Sequence, residues 1–176
     1  MKTLLKFPEF RQAYDWDCGA AAIQSILAYY GIDEREGKII KLAGTNQKTG
    51  TPTSGLKLVV KKYGLDCKAG KMTIEGIKKY LDKKIPVIVL LQAWTKKKDV
   101  DWKNEWGEGH YVVVIGYDAK KLYFADSADI KRTFLDYEEF ANRWHDRLAD
   151  KKYINWGMTV FGKKAKFDLS KAEHMG

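Results

Sequence analysis

Cys18 is the residue whose surroundings in the sequence most clearly suit it to chemistry. A helix-like pattern begins at this cysteine, and the positive end of a helix dipole stabilises a thiolate, the form that attacks carbonyl carbons. Gly19 and the alanines at 20, 21 and 22 let a substrate backbone or a neighbouring strand approach closely. The alternative interpretation is a small buried hydrophobic residue, which is how most free cysteines behave.

Gln12 lies six residues before Cys18. At that spacing its side-chain amide could stand beside the backbone N–H of Cys18, and the two donors would bind the oxyanion of a tetrahedral intermediate. A lone glutamine is ordinarily a surface residue, so only its distance from Cys18 along the chain supports this interpretation.

His110 is the histidine best placed to act as a base. It directly precedes the apolar run 111–115, so we expect it at the start of a strand, facing a cleft. Near a thiol it would act as a general base or form a thiolate–imidazolium pair. A structural or exposed histidine is the alternative. His145 is expected on a helix beside Trp144, and His174 lies in the tail.

Asp126 follows a short predicted strand, 122–125, which should pair with the strand that begins at His110. Its carboxylate would accept the Nδ1–H of His110 and fix the tautomer of the ring. Asp118 and Asp129 are alternatives, but Asp118 is expected in a turn and Asp129 further into the next loop.

The elements that must position these residues change character along the chain. Apolar spacing predicts helices over about 18–30, 34–43 and 53–63, and another from Thr73, its N-cap. Gly31 and Gly64 are placed to end two of them. Thr53 or Ser54 is expected to cap the third helix.

The second part of the chain predicts strands. Strands are expected at 85–92, 111–116, 122–125 and 158–161, a hairpin turn at 118–121 and a short helix at 136–144. Helices followed by antiparallel strands predict an α+β fold. Between the first two strands, the loop 95–109 is long and ends at His110, so it should border the site as a lid, a substrate-contacting loop or a flexible surface loop.

One domain is expected over 1–162, with a helical lobe over about 1–84, a β lobe over about 85–162 and a flexible tail over 163–176. No internal repeat or Pro/Gly/Ser-rich linker divides it. The longest apolar run, 85–91, has seven residues and is too short to span a membrane. No apolar signal segment follows the first residues, so we expect a soluble, unprocessed, cytoplasmic chain.

Composition narrows the possible functions. Hydrophobic residues make up 45% of the 176 and the net charge is +9; without a nucleic-acid motif, this charge indicates a solvated lysine surface. Two cysteines are too few for a disulfide framework, although one Cys18–Cys67 bridge is an alternative. No spacing suggests zinc, and no cofactor is required. Cys67 is interpreted as a structural residue on an edge-like strand.

Taken together, the motifs resemble the bacteriocin-processing peptidases, papain-like cysteine peptidases that cut leader peptides after a double glycine. The resemblance covers about residues 8–148. It depends on Gln12, the run Asp17-Cys18-Gly19-Ala20-Ala21, Thr51-Pro52-Thr53-Ser54-Gly55-Leu56, His110-Tyr111-Val112-Val113-Val114, Ala125-Asp126, and Phe140 with Trp144.

The resemblance implies a papain-like fold in which a helical lobe carries the cysteine and a β lobe carries the histidine and aspartate. It implies Cys18 as nucleophile, His110 as base and acid, Asp126 as the group that orients it, and Gln12 as oxyanion donor. Asp17 also belongs to the family pattern, and we assign it a structural role in which it accepts local backbone N–H groups.

Two departures from the family pattern bear on the substrate. Ser127 stands where the family usually has proline after the aspartate, and the exporter and ATPase parts of many members are missing from this sequence. A membrane exporter would then be a separate partner, or the chain is a fragment of a longer protein. A non-catalytic peptide-binding module and an acyl- or peptidyl-transferase remain as alternative functions.

Overall fold

The computed structural model describes residues 3–163, 170, 172 and 174–176. The tail expected from 163 onwards therefore lies largely outside the described residues. The helices are α1 (Cys18–Tyr29), α2 (Glu36–Ala43), α3 (Thr53–Lys62), α4 (Ile74–Asp82) and α5 (Tyr137–Arg143). The strands are β1 (Thr3–Leu4), β2 (Asp66–Lys71), β3 (Val87–Gln92), β4 (Gly109–Tyr117), β5 (Lys121–Ala125), β6 (Thr133–Asp136), β7 (His145–Leu148), β8 (Lys151–Ile154) and β9 (Trp156–Phe161).

Within these residues, seven strands form one antiparallel sheet in the order β2-β9-β3-β4-β5-β6, and β1 also pairs with β4. The first 84 residues thus supply two strands, β1 and β2, as well as four helices. Every residue of β3 and most of β4 are buried, and α1 packs on β4. The sheet centre therefore lies in the core.

The first helix has the predicted apolar face. Ile23, Ile26 and Leu27 are fully buried in the core. Gly31 ends the helix in the left-handed region, at φ 78°, where its N–H donates to the carbonyl of Ala28 at 2.9 Å. Glycine adopts this conformation without a steric penalty, so the predicted end of the helix is confirmed.

The prediction for the start of α3 was wrong. Pro52 is the N-cap, its backbone is extended, and no side chain caps the helix. Thr53 is already the first helical residue, and its hydroxyl lies 3.1 Å from that of Tyr153. The cap predicted for α4 is confirmed, because Thr73 Oγ1 accepts the N–H of Gly76 at 3.0 Å.

The predicted strands and hairpin are present, but the setting of His145 was predicted wrongly. The helix α5 ends at Arg143, and His145 begins β7. The physical reason is Trp144, whose indole N–H donates to the carbonyl of Trp156 at 2.8 Å and whose carbonyl accepts from Asn155 at 2.9 Å. These bonds turn the chain out of the helix.

No helix in the described part of the chain is both long and apolar enough to cross a membrane.

Candidate active site

Cys18 is the first residue of α1 and is 8% exposed. It is close enough to His110 to help raise the pKa of that imidazole, and it lies on the wall of a cleft of 420 Å³. The thiol thus sits at the predicted helix N-terminus, near an imidazole and beside open space.

Gly19 allows α1, the loop before α3 and β4 to meet closely. A Cβ atom at Gly19 would lie 2.6 Å from the Cβ of Thr51 and 3.0 Å from the ring of Tyr111. The Tyr111 hydroxyl donates to the carbonyl of Thr51 at 3.0 Å. Because Tyr111 follows His110, this approach brings the histidine strand against the start of α1.

His110 and Asp126 form a buried pair, 6% and 7% exposed. The nitrogen of His110 that faces Asp126 is Nε2, 2.7 Å from Oδ1; the prediction of an Nδ1 contact was wrong. Asp126 follows β5, the strand next to β4, and the ring reaches across with its outer nitrogen. This arrangement leaves Nδ1 as the nitrogen available to the thiol of Cys18.

The two groups alter each other's titration. Burial would lower the pKa of His110, but hydrogen bonds to Asp126 and Cys18 outweigh it and raise the pKa to about 10. Burial would raise the pKa of Asp126, but the bond from His110 outweighs it and the pKa is lowered. The ring is therefore held protonated at neutral pH beside an ionised carboxylate.

Further donors surround the Asp126 carboxylate. Oδ1 also accepts the backbone N–H of Ala128 at 3.0 Å. Oδ2 accepts the indole N–H of Trp94 at 2.9 Å and the hydroxyl of Thr133 at 3.3 Å. Sequence reasoning missed Trp94 and Thr133. Their positions along the chain do not show that their side chains reach the carboxylate of Asp126.

The alternatives to Asp126 have local roles. Asp118 accepts the backbone N–H groups of Lys120 and Lys121 at 2.9 Å, as a turn residue does, and Asp129 accepts that of Lys131 at 3.0 Å. Asp126 is the carboxylate that the structure places against His110.

Gln12 is attached to the loop that carries Asp126. Its backbone N–H donates to the carbonyl of Ser127 at 3.1 Å, and its Oε1 accepts the Ser127 hydroxyl at 2.8 Å. Its amide nitrogen donates to the carbonyl of Tyr14 at 2.8 Å, which uses one of two N–H groups. Ser127, the departure from the family pattern, thus orients the Gln12 amide with its nitrogen turned away from the serine.

Asp17 has the structural role expected of it. It is fully buried, and both carboxylate oxygens lie 3.2 Å from the backbone N–H of Tyr14. These bonds fix the turn that leads into Cys18. Cys18 and Cys67 are both free thiols, so no disulfide joins them, and Cys67 lies on the edge strand β2 as expected.

The long loop 95–109 borders the cleft, as predicted. It contributes Trp106 and Gly107 to the wall, opposite the segment 47–51 and beside 146–149. A salt bridge of 2.8 Å between Lys97 and Glu105 ties the loop internally.

A model of the peptidase C39 family matches residues 6–149. The chain belongs to the peptidase C39 family. This match covers the segment that contains Gln12, Cys18, His110 and Asp126.

The transport proteins that resemble this C39 chain are much longer than it is. It is 30% identical over 130 residues to the lactococcin-G-processing and transport ATP-binding protein LagD of Lactococcus lactis subsp. lactis. The match covers 73% of this chain and 16% of LagD. The chain thus spans a small part of the relative's length, and the family together with such relatives supports a peptidase function.

Solved structures show that the C39 chain has the expected α+β, papain-like fold. The peptidase domain of Streptococcus ComA, a bifunctional ABC transporter, matches with a TM-score of 0.66 at 24% identity, covering 88% of this chain and 98% of that domain. A double-glycine-motif protease from an AMS/PCAT transporter, solved with its leader peptide, matches with a TM-score of 0.65 at 21% identity, covering 91% and 94%.

Sequence reasoning also missed Asp146, a buried carboxyl group on the cleft wall of this C39 chain. Burial raises its pKa to about 6, and Gln92 donates to it at 2.7 Å. A Cβ atom on Gly109 would lie 2.6 Å from its Cγ, so the glycine before His110 makes room for it. Within the described part of the chain, no group of His, Cys, Asp or Glu could hold a metal.

Glu36 lies close enough to Asp17 to feel its charge. Burial, followed by the charge of Asp17, raises the Glu36 pKa to about 7, and Oε1 has no hydrogen-bond partner. Because the Glu36 pKa is higher in the folded chain than in the unfolded chain, the protonated carboxyl stabilises the fold. This stabilisation is complete below the pKa of the unfolded chain and is lost as pH rises through about 7. We therefore expect Glu36→Gln to raise Tm by about 2–4 °C at pH 8 and to leave it unchanged at pH 4.

Glu34, two residues earlier, supplies a control of opposite sign. Hydrogen bonds from Lys38 and Tyr63 lower its pKa to about 2, so its stabilisation is present above the unfolded pKa. Glu34→Gln should lower Tm at pH 8. Thermal unfolding of both variants at the two pH values measures this, and equal effects at pH 8 would contradict the assignment for Glu36.

Proposed function

We propose that this chain is a cysteine peptidase with Cys18 as nucleophile, His110 as base and acid, Asp126 as the group that orients the histidine, and Gln12 in the oxyanion hole. The observation that carries the proposal is the 2.7 Å hydrogen bond between His110 Nε2 and Asp126 Oδ1, with Cys18 at the start of α1 close enough to help raise the pKa of His110. A nucleophile, a base and a base-orienting carboxylate brought together are the parts that acyl transfer needs.

The reaction runs through an acyl-enzyme. In the resting site the thiol proton already lies on Nδ1 of His110, which forms a thiolate–imidazolium pair, and the sulfur of Cys18 attacks the scissile carbonyl carbon. The negative oxygen that forms accepts hydrogen bonds from the Cys18 backbone N–H and the free amide N–H of Gln12. His110 then protonates the departing amine, the C–N bond breaks, and water deprotonated by the same ring hydrolyses the thioester to regenerate the thiol.

The proposed substrate is a peptide with small residues before the scissile bond, of the kind cut after a double glycine. Support comes from similar proteins whose names state lactococcin-G processing and a double-glycine motif. A separate membrane exporter is the proposed partner, with the chain at the cytoplasmic face. Neither a cofactor nor nucleic acid enters the mechanism.

The proposal is tested with synthetic peptides of about twenty residues that carry Gly-Gly before the cut site, and with matched peptides in which Leu replaces the second glycine. Mass spectrometry of the products should show cleavage after Gly-Gly alone. When an amine is added to the reaction, products that carry this amine at the new carboxyl end in place of water would indicate a transferase. If the wild-type protein, with a reactive Cys18, binds the Gly-Gly peptide but does not cleave it, the proposal is contradicted and a binding module is favoured.

Removing the oxyanion donor should affect carbonyl chemistry and leave alkylation unaffected. We expect Gln12→Ala to slow acylation of Cys18 by p-nitrophenyl acetate about a hundredfold, because one oxyanion donor typically contributes that much. The rate of alkylation by iodoacetamide should not change, since displacement of iodide forms no oxyanion. Stopped-flow release of p-nitrophenol and mass spectrometry measure the two rates.

Gln24 on α1 is the matched control, because its amide donates to the backbone carbonyl of Glu34 at 3.0 Å. Gln24→Ala should leave both rates at the wild-type value. If Gln12→Ala slows both reactions equally, the residue supports the thiol–imidazole contact and not the oxyanion.

A further inference from the structure

Trp94 has a backbone conformation that bulky residues rarely adopt. It lies two residues after the end of β3, at φ 61°, in the left-handed region. The side chain is 52% exposed, so burial of the indole does not explain the conformation. Strained residues of this kind occur mostly at functional sites, where the surrounding structure maintains them.

The chain on either side of Trp94 fixes this conformation. The N–H of Ala93 donates to the carbonyl of Glu108 at 2.8 Å, and the hydroxyl of Thr95 donates to the Glu108 carboxylate at 2.9 Å. With both neighbours bound to Glu108, the backbone at Trp94 is turned so that the indole points to Asp126.

The contact with Asp126 gives the strained residue a role. The indole N–H donates to Oδ2 at 2.9 Å, and the other side-chain donor to that oxygen, Thr133, is longer at 3.3 Å. Oδ1 is the oxygen that faces His110 Nε2. A carboxylate held at both oxygens cannot rotate about its Cβ–Cγ bond, so the Oδ1 that serves the imidazole stays in place.

We propose that Trp94 is a positioning residue for the catalytic pair: its indole N–H holds Asp126 Oδ2 so that Oδ1 remains directed at His110. This inference rests on the proposed function. It also links the loop 95–109 to the chemistry, because Trp94 lies just before the loop, His110 lies just after it, and both bind Asp126. A movement of the loop would thus reach the carboxylate from both ends.

The test uses Cys18 alkylation by iodoacetamide at pH 6, in a Cys67→Ser background, since this probe needs no substrate. Trp94→Phe keeps an aromatic ring but removes the indole N–H donor. We expect Cys18 in this variant to react about fivefold more slowly than in the Cys67→Ser parent. The matched control is Trp102→Phe, within the loop 95–109. The Trp102 ring stacks on Arg143, and its replacement should leave the rate unchanged. In an Asp126→Ala background, Trp94→Phe should cause no further loss.

A purely structural role would be seen in stability instead. Asp99, also in the loop, is exposed and has a φ of 52°, so Asp99→Gly and Trp94→Gly each replace a strained residue by glycine. We expect both variants to remain folded at the temperature of the alkylation assay, and only Trp94→Gly to slow alkylation. Alkylation and thermal unfolding in one buffer measure both effects.

The outcomes separate this inference from the proposed function. A parent protein that reacts no faster than a free thiol at pH 6 overturns the proposed function, and the role of Trp94 with it. A reactive parent matched by Trp94→Phe overturns the role of Trp94 alone. A loss of rate that persists undiminished in the Asp126→Ala background, or that is explained by unfolding of Trp94→Gly at the assay temperature, also overturns it.

Discussion

Replacing Cys18 by alanine is expected to abolish peptide cleavage, with a loss of at least about a thousandfold, because no acyl-enzyme can form without the sulfur. The fold should persist. Alanine is well tolerated in the first turn of a helix, and four alanines already follow within α1. The measurement is cleavage of the Gly-Gly peptide, with circular dichroism as the check on folding.

Cys67 provides the control for this experiment. It is a free, half-buried thiol on β2, paired with Val160 across the sheet. Cys67→Ser should cleave the peptide at the wild-type rate and lose only alkylation at its own site. Full activity in Cys18→Ala would exclude Cys18 as the nucleophile, and a folded but inactive Cys67→Ser would show that Cys67 is also required.

Replacing His110 by alanine is the second large effect, about a thousandfold in cleavage, because both the removal of the thiol proton and the protonation of the departing amine are lost. Alkylation of Cys18 should also become slow at pH 6. An unpaired thiol is mostly protonated there, since free cysteine titrates near about 8.5. In the wild type, reaction at pH 6 should persist, because the protonated ring of His110 stabilises the thiolate.

Asp126→Asn is expected to have a smaller effect, about tenfold, because an amide oxygen can still accept the Nε2–H and orient the ring, as in Cys-His-Asn sites. It should also change the pH profile. The Asp126 bond and charge help raise the pKa of His110 to about 10, so the neutral amide should let the ring lose its proton at lower pH. A larger loss in Asp126→Asn than in His110→Ala would contradict these roles.

Where the apolar pattern was strong, the sequence predicted which helices and strands contain the site residues and where these helices and strands end. The helix beginning at Cys18, the strand containing His110 and the strand before Asp126 are present with small changes in their bounds. The continuous apolar run of β3 and the glycine after α1 are local signals, and local signals can be read from one segment alone.

The predictions that were wrong, and the residues that were missed, depend mostly on contacts between segments that are distant in the sequence. The nitrogen of His110 that faces Asp126 follows from how β4 and β5 pair, which no single segment encodes. The bonds of Trp94 and Thr133 to Asp126 have the same origin. The strand that begins at His145 was missed because its residues, His-Asp-Arg-Leu, carry little apolar pattern.

The sheet centre and the cleft wall differ in how freely they can change during evolution. His110 lies on β4, which is bonded to β1, β3 and β5 and packed against α1, so most substitutions there would destabilise the fold. The cleft wall comes largely from loops, such as 47–51 and 106–107, which tolerate exchange and insertion. Substrate preference can therefore diverge by loop variation while the reacting groups stay fixed.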